Sequence, residues 1–350
     1  MISVGVVRRG STGRLGSLLM AIVLLCPAIP ATAAQQGAAA PQAEPAPQTE
    51  AAAQVAAPIQ VVISGTYLGP KLWRVSKDGH ALWVLGTVAP LPKRMVWQTA
   101  DIQRLLGQTQ EVIPAWPSVS IGFHPFTAMH LYALWREAQT NPDHQPLKAV
   151  LPPTLYARFT VLKLRYAPHD HRIEQLRPIL AARRLYDDAL AASDLTPHND
   201  IQRTVLGLAK QQSVSIHQDK LLVKDPVDVM RDLTQIPRSA EIACLESVVT
   251  RLETDVGPMQ ARARAWALGD VALLRRLPHT DNRATCLDAV SGSARVRALF
   301  AQAQQDWMAA AVQALGQNHT TLALQSMDLL LGPDGTLATF ERMGYRVEGP

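Results

Sequence analysis

The sequence predicts an α/β protein with strands at its two ends and helices between them. Two short apolar runs, Leu72-Trp73-Arg74-Val75 and Ala81-Leu82-Trp83-Val84-Leu85-Gly86, flank the turn-forming trio Lys77-Asp78-Gly79. From Pro125 to about Arg297 most segments have helical spacing, with Pro152-Pro153, Pro168, Pro178, Pro197 and Pro226 at the joints. Beyond that stretch the pattern closes as helix, strand, helix, strand.

Taken in order, the first two runs spell a β-hairpin, since Asp-Gly between apolar runs favours a tight turn. Thr99 to Gly107 has a helical start and a glycine stop, and Glu111-Val112-Ile113-Pro114 is a brief strand. Val214-Ser215-Ile216 is strand-like within the helical stretch. Val296 to Leu315 predicts an amphipathic helix, with Val296, Leu299, Phe300, Ala303, Trp307, Ala310 and Leu315 on or near one face and Gly316 as its stop. Thr321 to Leu324 is a strand, Thr336 to Met343 a helix ended by Gly344, and Tyr345-Arg346-Val347 a last strand.

Ahead of these elements, residues 1–33 have the three parts of an export signal. Arg8, Arg9 and Arg14 form a basic start, the run from Leu15 to Ile29 is apolar, and Ala31-Thr32-Ala33 offers small residues for cleavage. The apolar run falls short of the roughly 20 residues that a permanent anchor needs, and Pro27 lies near its end. Cys26 follows Leu25 where lipidation would need a small residue, and Arg8-Arg9 lacks the continuation of a twin-arginine signal. The expectation is Sec-type export to the periplasm or beyond. Residues 34–58 are almost wholly Ala, Gln, Pro and Glu, which cannot offset their own ordering entropy and predict a flexible tether. The folded part is then 59–350, a length that suits one large domain or two packed halves.

Export alters the charge argument. Three arginines leave with the signal, taking the formal charge from +5 to +2, too little to argue for nucleic acid or an anionic membrane. Aromatics are sparse and none interleaves with a basic cluster, so a nucleic-acid groove is excluded as well. Cys26 leaves too, and Cys244 and Cys286 remain as a disulfide candidate in an oxidising compartment. Such a bridge would contribute roughly 3 to 4 kcal/mol by restricting the unfolded chain. The other possibility is two buried free thiols, because spacing alone does not fix connectivity.

The run Leu72-Trp73-Arg74-Val75-Ser76-Lys77-Asp78-Gly79, then Leu82-Trp83-Val84-Leu85-Gly86-Thr87-Val88 and Pro90-Leu91-Pro92-Lys93, resembles the opening of the TraB/GumN family, whose relatives include the Tiki-type metalloproteases. Gly332-Pro333-Asp334-Gly335, Leu337 and Met343-Gly344-Tyr345-Arg346-Val347-Glu348 are similar to its closing turn, helix and strand, and Ala265-Trp266-Ala267-Leu268-Gly269-Asp270 and the Trp307 helix resemble segments between. The resemblance implies a mixed-sheet core made by the N- and C-terminal halves, with a large helical insertion.

For chemistry it implies a metal-dependent hydrolytic site of two Gly-x-x-His motifs, a carboxylate after an early strand, and an Arg and an Asn on the late helix. Imidazole and carboxylate would hold a divalent metal that acidifies a water, and the Arg would steady developing negative charge. This chain departs from that set at every position. Ala89 follows Gly86-Thr87-Val88 where His is expected, Ala115 stands where Glu is expected, and Ala303 and Gln304 stand for Arg and Asn. Gln325-Ser326-Met327-Asp328-Leu329 occupies the second motif, leaving Asp328 as a lone carboxylate without partners to fix a metal's geometry.

Other constellations are thin. His169-Asp170-His171 follows Pro168 in a polar connection, which suits a solvated loop better than a Zn or Cu site. His80 lies beside the hairpin turn, and His217 has Asp219 nearby at a strand end. No Gly-x-Ser-x-Gly, phosphate loop, His-Glu-x-x-His or dinucleotide fingerprint is present. Trp97, Trp116 and Trp135, with Phe123, Phe126 and Tyr132, could line a cleft for a sugar or a peptide, although such large aromatics more often fill a core, as do Trp73, Trp83, Trp266 and Trp307.

The expectation is an exported scaffold that has lost hydrolysis and acts as a binding or accessory factor in the cell envelope, partnered by an envelope protein, a peptide or a polysaccharide. It carries no cofactor, no nucleic acid and no permanent membrane anchor. The alternative is a metal-dependent peptidase or other hydrolase whose divalent metal is held by a rearranged set from Asp328, His80 and His217, which requires those side chains to share one pocket. A haem or metal carrier on a related fold is a third possibility.

Overall fold

A computed structural model describes residues 69–121, 125–197, 200–254, 256–277, 286, 288–332 and 334–350. The expected export signal at 1–33, the tether at 34–58, Cys26 and Phe123 lie outside the described residues.

The hairpin forms as expected, with β1 (Leu72–Lys77) antiparallel to β2 (His80–Thr87). Lys77 pairs with His80, so Asp78 and Gly79 alone make the turn, both at positive φ (+50° and +85°). That geometry matches the right-handed twist of the strands, and Gly79 adopts it without a Cβ penalty. Then come β3 (Leu91–Pro92), α1 (Ala100–Leu106), β4 (Glu111–Ile113) and β5 (Ser118–Ile121). The helical stretch carries α2 (Pro125–Gln139), α3 (Leu147–Val150), α4 (Pro153–Tyr166), α5 (Pro178–Ala192), β6 (Leu195–Thr196), α6 (Asp200–Gln211), β7 (Ser215–Ile216) and β8 (Lys220–Val223). It continues through α7 (Pro226–Thr234), α8 (Arg238–Thr254), α9 (Val256–Leu268) and α10 (Val271–Arg276). Pro153, Pro178 and Pro226 open α4, α5 and α7, where a missing N–H costs nothing. The chain closes with α11 (Ala294–Gln317), β9 (Thr320–Ser326), α12 (Met327–Leu331), α13 (Thr336–Arg342) and β10 (Arg346–Glu348).

The main sheet has the order β10-β1-β2-β9-β4-β7. It is mixed: β2, β9, β4 and β7 run parallel, while β1 is antiparallel to both of its neighbours. The late strand β9 is inserted between the early strands β2 and β4, which brings the two ends of the chain together. Leu322, Ala323 and Leu324 of β9 are fully buried, as a central parallel strand covered on both faces should be. α11 lies across β2, β9 and β4. Its buried face includes Ala303, Trp307, Ala310, Ala311, Ala314 and Leu315, and Trp307 Nε1 donates to the Leu324 carbonyl at 3.1 Å.

Both ends of α11 differ from expectation. Ser293 caps α11 through its hydroxyl, which accepts from Val296 N, and the helix runs through Gly316 to Gln317, where Asn318 N still bonds Ala314 O. The glycine does not stop it because the packed residues Ala314 and Leu315 carry the turn onward. β6 and β8 fall within the helical stretch and pair with the earlier strands β3 and β5, two small ladders that the helical reading omits. Four residues or fewer per strand are too few to display a period.

The insertion has its own core, in which α4, α5 and α8 pack around Phe159, Leu185, Leu245 and Val249. Cys244 of α8 is joined to Cys286 by a disulfide, with their Cα atoms 4.7 Å apart.

Candidate functional site

In open α/β sheets the ligand side is the carboxyl edge of the parallel strands. Here three adjacent parallel strands, β2, β9 and β4, end on that edge. Register sets their exits side by side: Thr87 pairs with Ser326, and Ile113 with Ala323. Ala89, Asp328 and Ala115 each lie two residues beyond one of those positions. α11 precedes β9 and runs antiparallel to it, so Ala303 and Gln304, one turn before Trp307, lie toward the same edge.

The fold therefore gathers at one edge every position where the family resemblance led a site residue to be expected. What it gathers are three methyl groups, an amide and one carboxylate. Ala89 is exposed, Ala115 and Ala303 are buried, and Gln304 is half-buried. The Ala115 N–H donates to Gln202 Oε1 at 2.9 Å, so a side-chain amide from α6 covers the end of β4.

Asp328 is not alone. Arg262 of α9 donates to its Oδ1 at 3.0 Å and to the Leu274 carbonyl at 3.4 Å, and the Arg262 side chain is only 12% exposed. Its position follows from Trp266, one turn along α9, whose fully buried indole donates to the Gly86 carbonyl at 2.7 Å. That bond fastens α9 to the exit of β2. Gly86 suits the place, since a Cβ there would come within 2.6 Å of Met327 Cε, where α12 folds over the strand. Gly269, at φ +70°, then ends α9, and the Asp270 carboxylate accepts from Leu273 N to start α10, which brings Arg275 to the same edge. Arg262, Arg275 and Asp328, together with Leu274, Leu277, Met327 and Leu331, line a cavity of about 240 Å³.

Sequence reasoning missed Arg262 and Arg275, and met Gln325 only as part of the run at the second motif. Arg262 had a signal, because it stands four residues before a tryptophan on the same helical face, which a buried indole turns inward. Gln325 also had one, as a polar residue continuing the apolar run Leu322-Ala323-Leu324. It is fully buried beside Gly86; its Oε1 accepts from Ser326 N, while its Nε2 has no hydrogen-bond partner among the described residues.

The other candidates lie elsewhere. His80 begins β2 at the opposite, amino edge, where its Nδ1 donates to the Asn318 carbonyl (2.7 Å) and its ring stacks on His319 at 5.3 Å. From there to the exit at Thr87 is about 20 Å of strand, so His80 and Asp328 share no pocket. His217 sits beyond β7 between two carboxylates, with Nδ1 2.8 Å from Glu111 Oε1 and Nε2 3.0 Å from Asp219 Oδ1. Burial favours the neutral ring, but the hydrogen bonds and charges of Glu111 and Asp219 outweigh it and hold this imidazole above its usual range. Among the described residues no group of three His, Cys, Asp or Glu side chains is placed to hold a metal ion.

His169 and His171 are exposed, while Asp170 between them accepts from Arg172 N, Ile173 N and Arg184 Nε, so this trio organises a turn. Trp73, Trp266 and Trp307 are core. Trp83, Trp97 and Trp116 pack against that core, Trp97 edge-on to Trp266 and Trp116 to Phe300. Trp135 leans on exposed Tyr132 of α2, so these aromatics do not line one cleft.

The model of the TraB/PrgY/gumN family matches residues 71–349. No curated protein and no solved structure matches the chain.

Proposed function

The chain belongs to the TraB/PrgY/gumN family, and from that premise we propose that it is an exported member that keeps the fold without hydrolysis and serves as a binding or accessory factor in the cell envelope. The observation that carries this reading is the strand-exit edge itself. Ala89, Ala115 and Ala303 have no lone pair to offer there, and the one carboxylate, Asp328, is engaged by Arg262. A divalent ion held in defined geometry needs several ligands and their supporting hydrogen bonds. A guanidinium already lying against Asp328 supplies the positive charge that such an ion would bring.

Export rests on the basic, apolar and small-residue parts of 1–33. No helix among the described residues is long and apolar enough to cross a membrane. A cleft at strand ends on a near-neutral body suits a peptide, an envelope protein or a polysaccharide as partner. The rearranged hydrolase needs His80 and Asp328 on one ion, and their placement at opposite ends of β2 and β9 weighs against it.

Metal analysis of the purified protein tests the reading. The expected result is less than stoichiometric Zn, Mn and Co, with Asp328→Ala changing nothing. Tightly bound stoichiometric metal that disappears in Asp328→Ala would overturn it. Export is tested by cell fractionation and by sequencing the mature N-terminus, expected just after Ala33; a product retaining residue 1 in the cytoplasm would refute that part.

A further inference from the structure

Resting on the reading of the strand-exit edge as a binding site, we propose that the cavity between Arg262, Arg275 and Asp328 is a pocket for a small monocarboxylate with an apolar tail, such as the C-terminal residue of a peptide or a free short-chain acid. Charge, lining and size each narrow the ligand.

Charge sets the sign. Arg262 and Asp328 pair at 3.0 Å and offset each other, which leaves Arg275 as the net charge among the described lining residues. Arg275 is exposed on the last turn of α10 and has no hydrogen-bond or ion-pair partner among the described residues. A planar guanidinium with a free fork of donors matches a carboxylate in bidentate geometry. One uncompensated cation neutralises a monoanion; a dianion such as phosphate would be left with excess charge beside apolar walls, which is costly.

The lining offers a seat for a tail. Leu277 and Leu331 are half-buried at the cavity, backed by the almost fully buried Leu274 and Met327, so a ligand with an apolar tail covers more of this wall than a bare ion does. Size sets the scale. The cavity is open to solvent, and its volume of about 240 Å³ seats a leucine-sized group. In a peptide, a carboxylate beside an apolar side chain is what the C-terminal residue offers.

The test is calorimetric titration of the full chain with N-acetylleucine, N-acetylleucinamide and hexanoate. Both acids are expected to bind, and the uncharged amide at least about tenfold more weakly. Tighter binding of N-acetylleucine than of hexanoate identifies a peptide end; the reverse identifies a free acid. Arg275→Ala should weaken the acids by about tenfold, leave the amide unchanged and leave the melting temperature unchanged, since that side chain supports nothing in the fold. Equal binding of acid and amide, no binding of either acid at millimolar concentration, or full affinity in Arg275→Ala would each overturn the pocket. Metal content of the same sample separates the two readings. Stoichiometric metal with acid binding refutes the loss of hydrolysis and keeps the pocket, whereas no metal and no binding refutes the pocket alone.

Discussion

The sheet and the helical insertion are held together by different means. Around the sheet, among the described residues, the buried polar side chains are neutral: Thr87, Thr109, Thr321, Gln325 and Thr336. The insertion buries charge. Lys163 lies against Glu174, Arg177 against Glu241, and the Cys244–Cys286 disulfide crosses the same layer. A sheet fixes its geometry through ladder hydrogen bonds, so apolar side chains suffice to cover it. Helices share no such bonds with one another, and a desolvated ion pair or a crosslink penalises every packing that would separate its two ends.

The largest expected effect tests the sheet side. Trp266→Ala should cost about 5 kcal/mol, at the top of the range for emptying a buried aromatic site, because it also orphans the Gly86 carbonyl. Trp266→Phe should cost about 1 to 2 kcal/mol, reflecting the hydrogen bond with most of the volume kept. Urea melts measure both. If the two variants were equally unstable, the indole hydrogen bond rather than packing would fasten α9 to β2, and the sheet would depend on polar links as the insertion does.

Next in size is the buried pair of the insertion. Glu241 is 2% exposed, and burial raises its pKa despite the opposing charge of Arg177. Arg177→Met should cost about 3 to 5 kcal/mol near neutral pH by leaving that carboxylate uncompensated. The folded-state pKa of Glu241 lies above its unfolded value, so the native state binds the extra proton. The deficit of the variant should therefore shrink as pH falls toward the carboxylate range and grow as pH rises. Arg177→Met with Glu241→Leu should recover most of the loss. A double variant no better than Arg177→Met would show that the pair is not the source of the penalty.

The disulfide comes third. Its partners are 42 residues apart, and reduction, or Cys244→Ser with Cys286→Ser, should cost roughly 3 to 4 kcal/mol. Hydrogen exchange should rise in α4, α5 and α8 while β2 and β9 stay protected. Uniform loss of protection would mean that the two regions unfold as one unit, and the contrast between them would be one of chemistry alone.

Much of this contrast was legible in the sequence, and the missing parts share a cause. Asp78-Gly79, the Trp307 helix and the prolines at 153, 178 and 226 are local signals, and each element they announce is present. That the two ends of the chain share one sheet came only through the family resemblance, and the pairing of β2 with β9 was not foreseen, since no local pattern states that Leu82 will meet Thr321. The β5–β8 ladder joins segments about a hundred residues apart through four residues each, with nothing in either run to name its partner. At the site, the positions Ala89, Ala115, Ala303 and Asp328 were reached through the family resemblance. The arginine facing Asp328 was not, because it depends on where Trp266 docks.

The smallest effect lies where the sheet meets the second ladder. His217 bridges Glu111 at the start of β4 and Asp219, whose carbonyl takes the Ser118 N–H at the start of β5. Among the described residues no other charged side chain is hydrogen-bonded to the ring, and both carboxylates are best served by an imidazolium that donates from each nitrogen. The folded pKa is raised, so the native state binds more protons than the unfolded chain above about pH 6.5. This contribution is fully present below that pH and is lost as pH climbs through the folded value. With all three side chains partly solvated, it should stay below about 1 kcal/mol. His217→Gln should flatten the pH dependence of stability between about 6 and 8 while leaving acid unfolding unchanged. An undiminished slope in that variant would place the titration on another histidine. It would also leave the junction held by the Ser118–Asp219 backbone bond, like the sheet it borders.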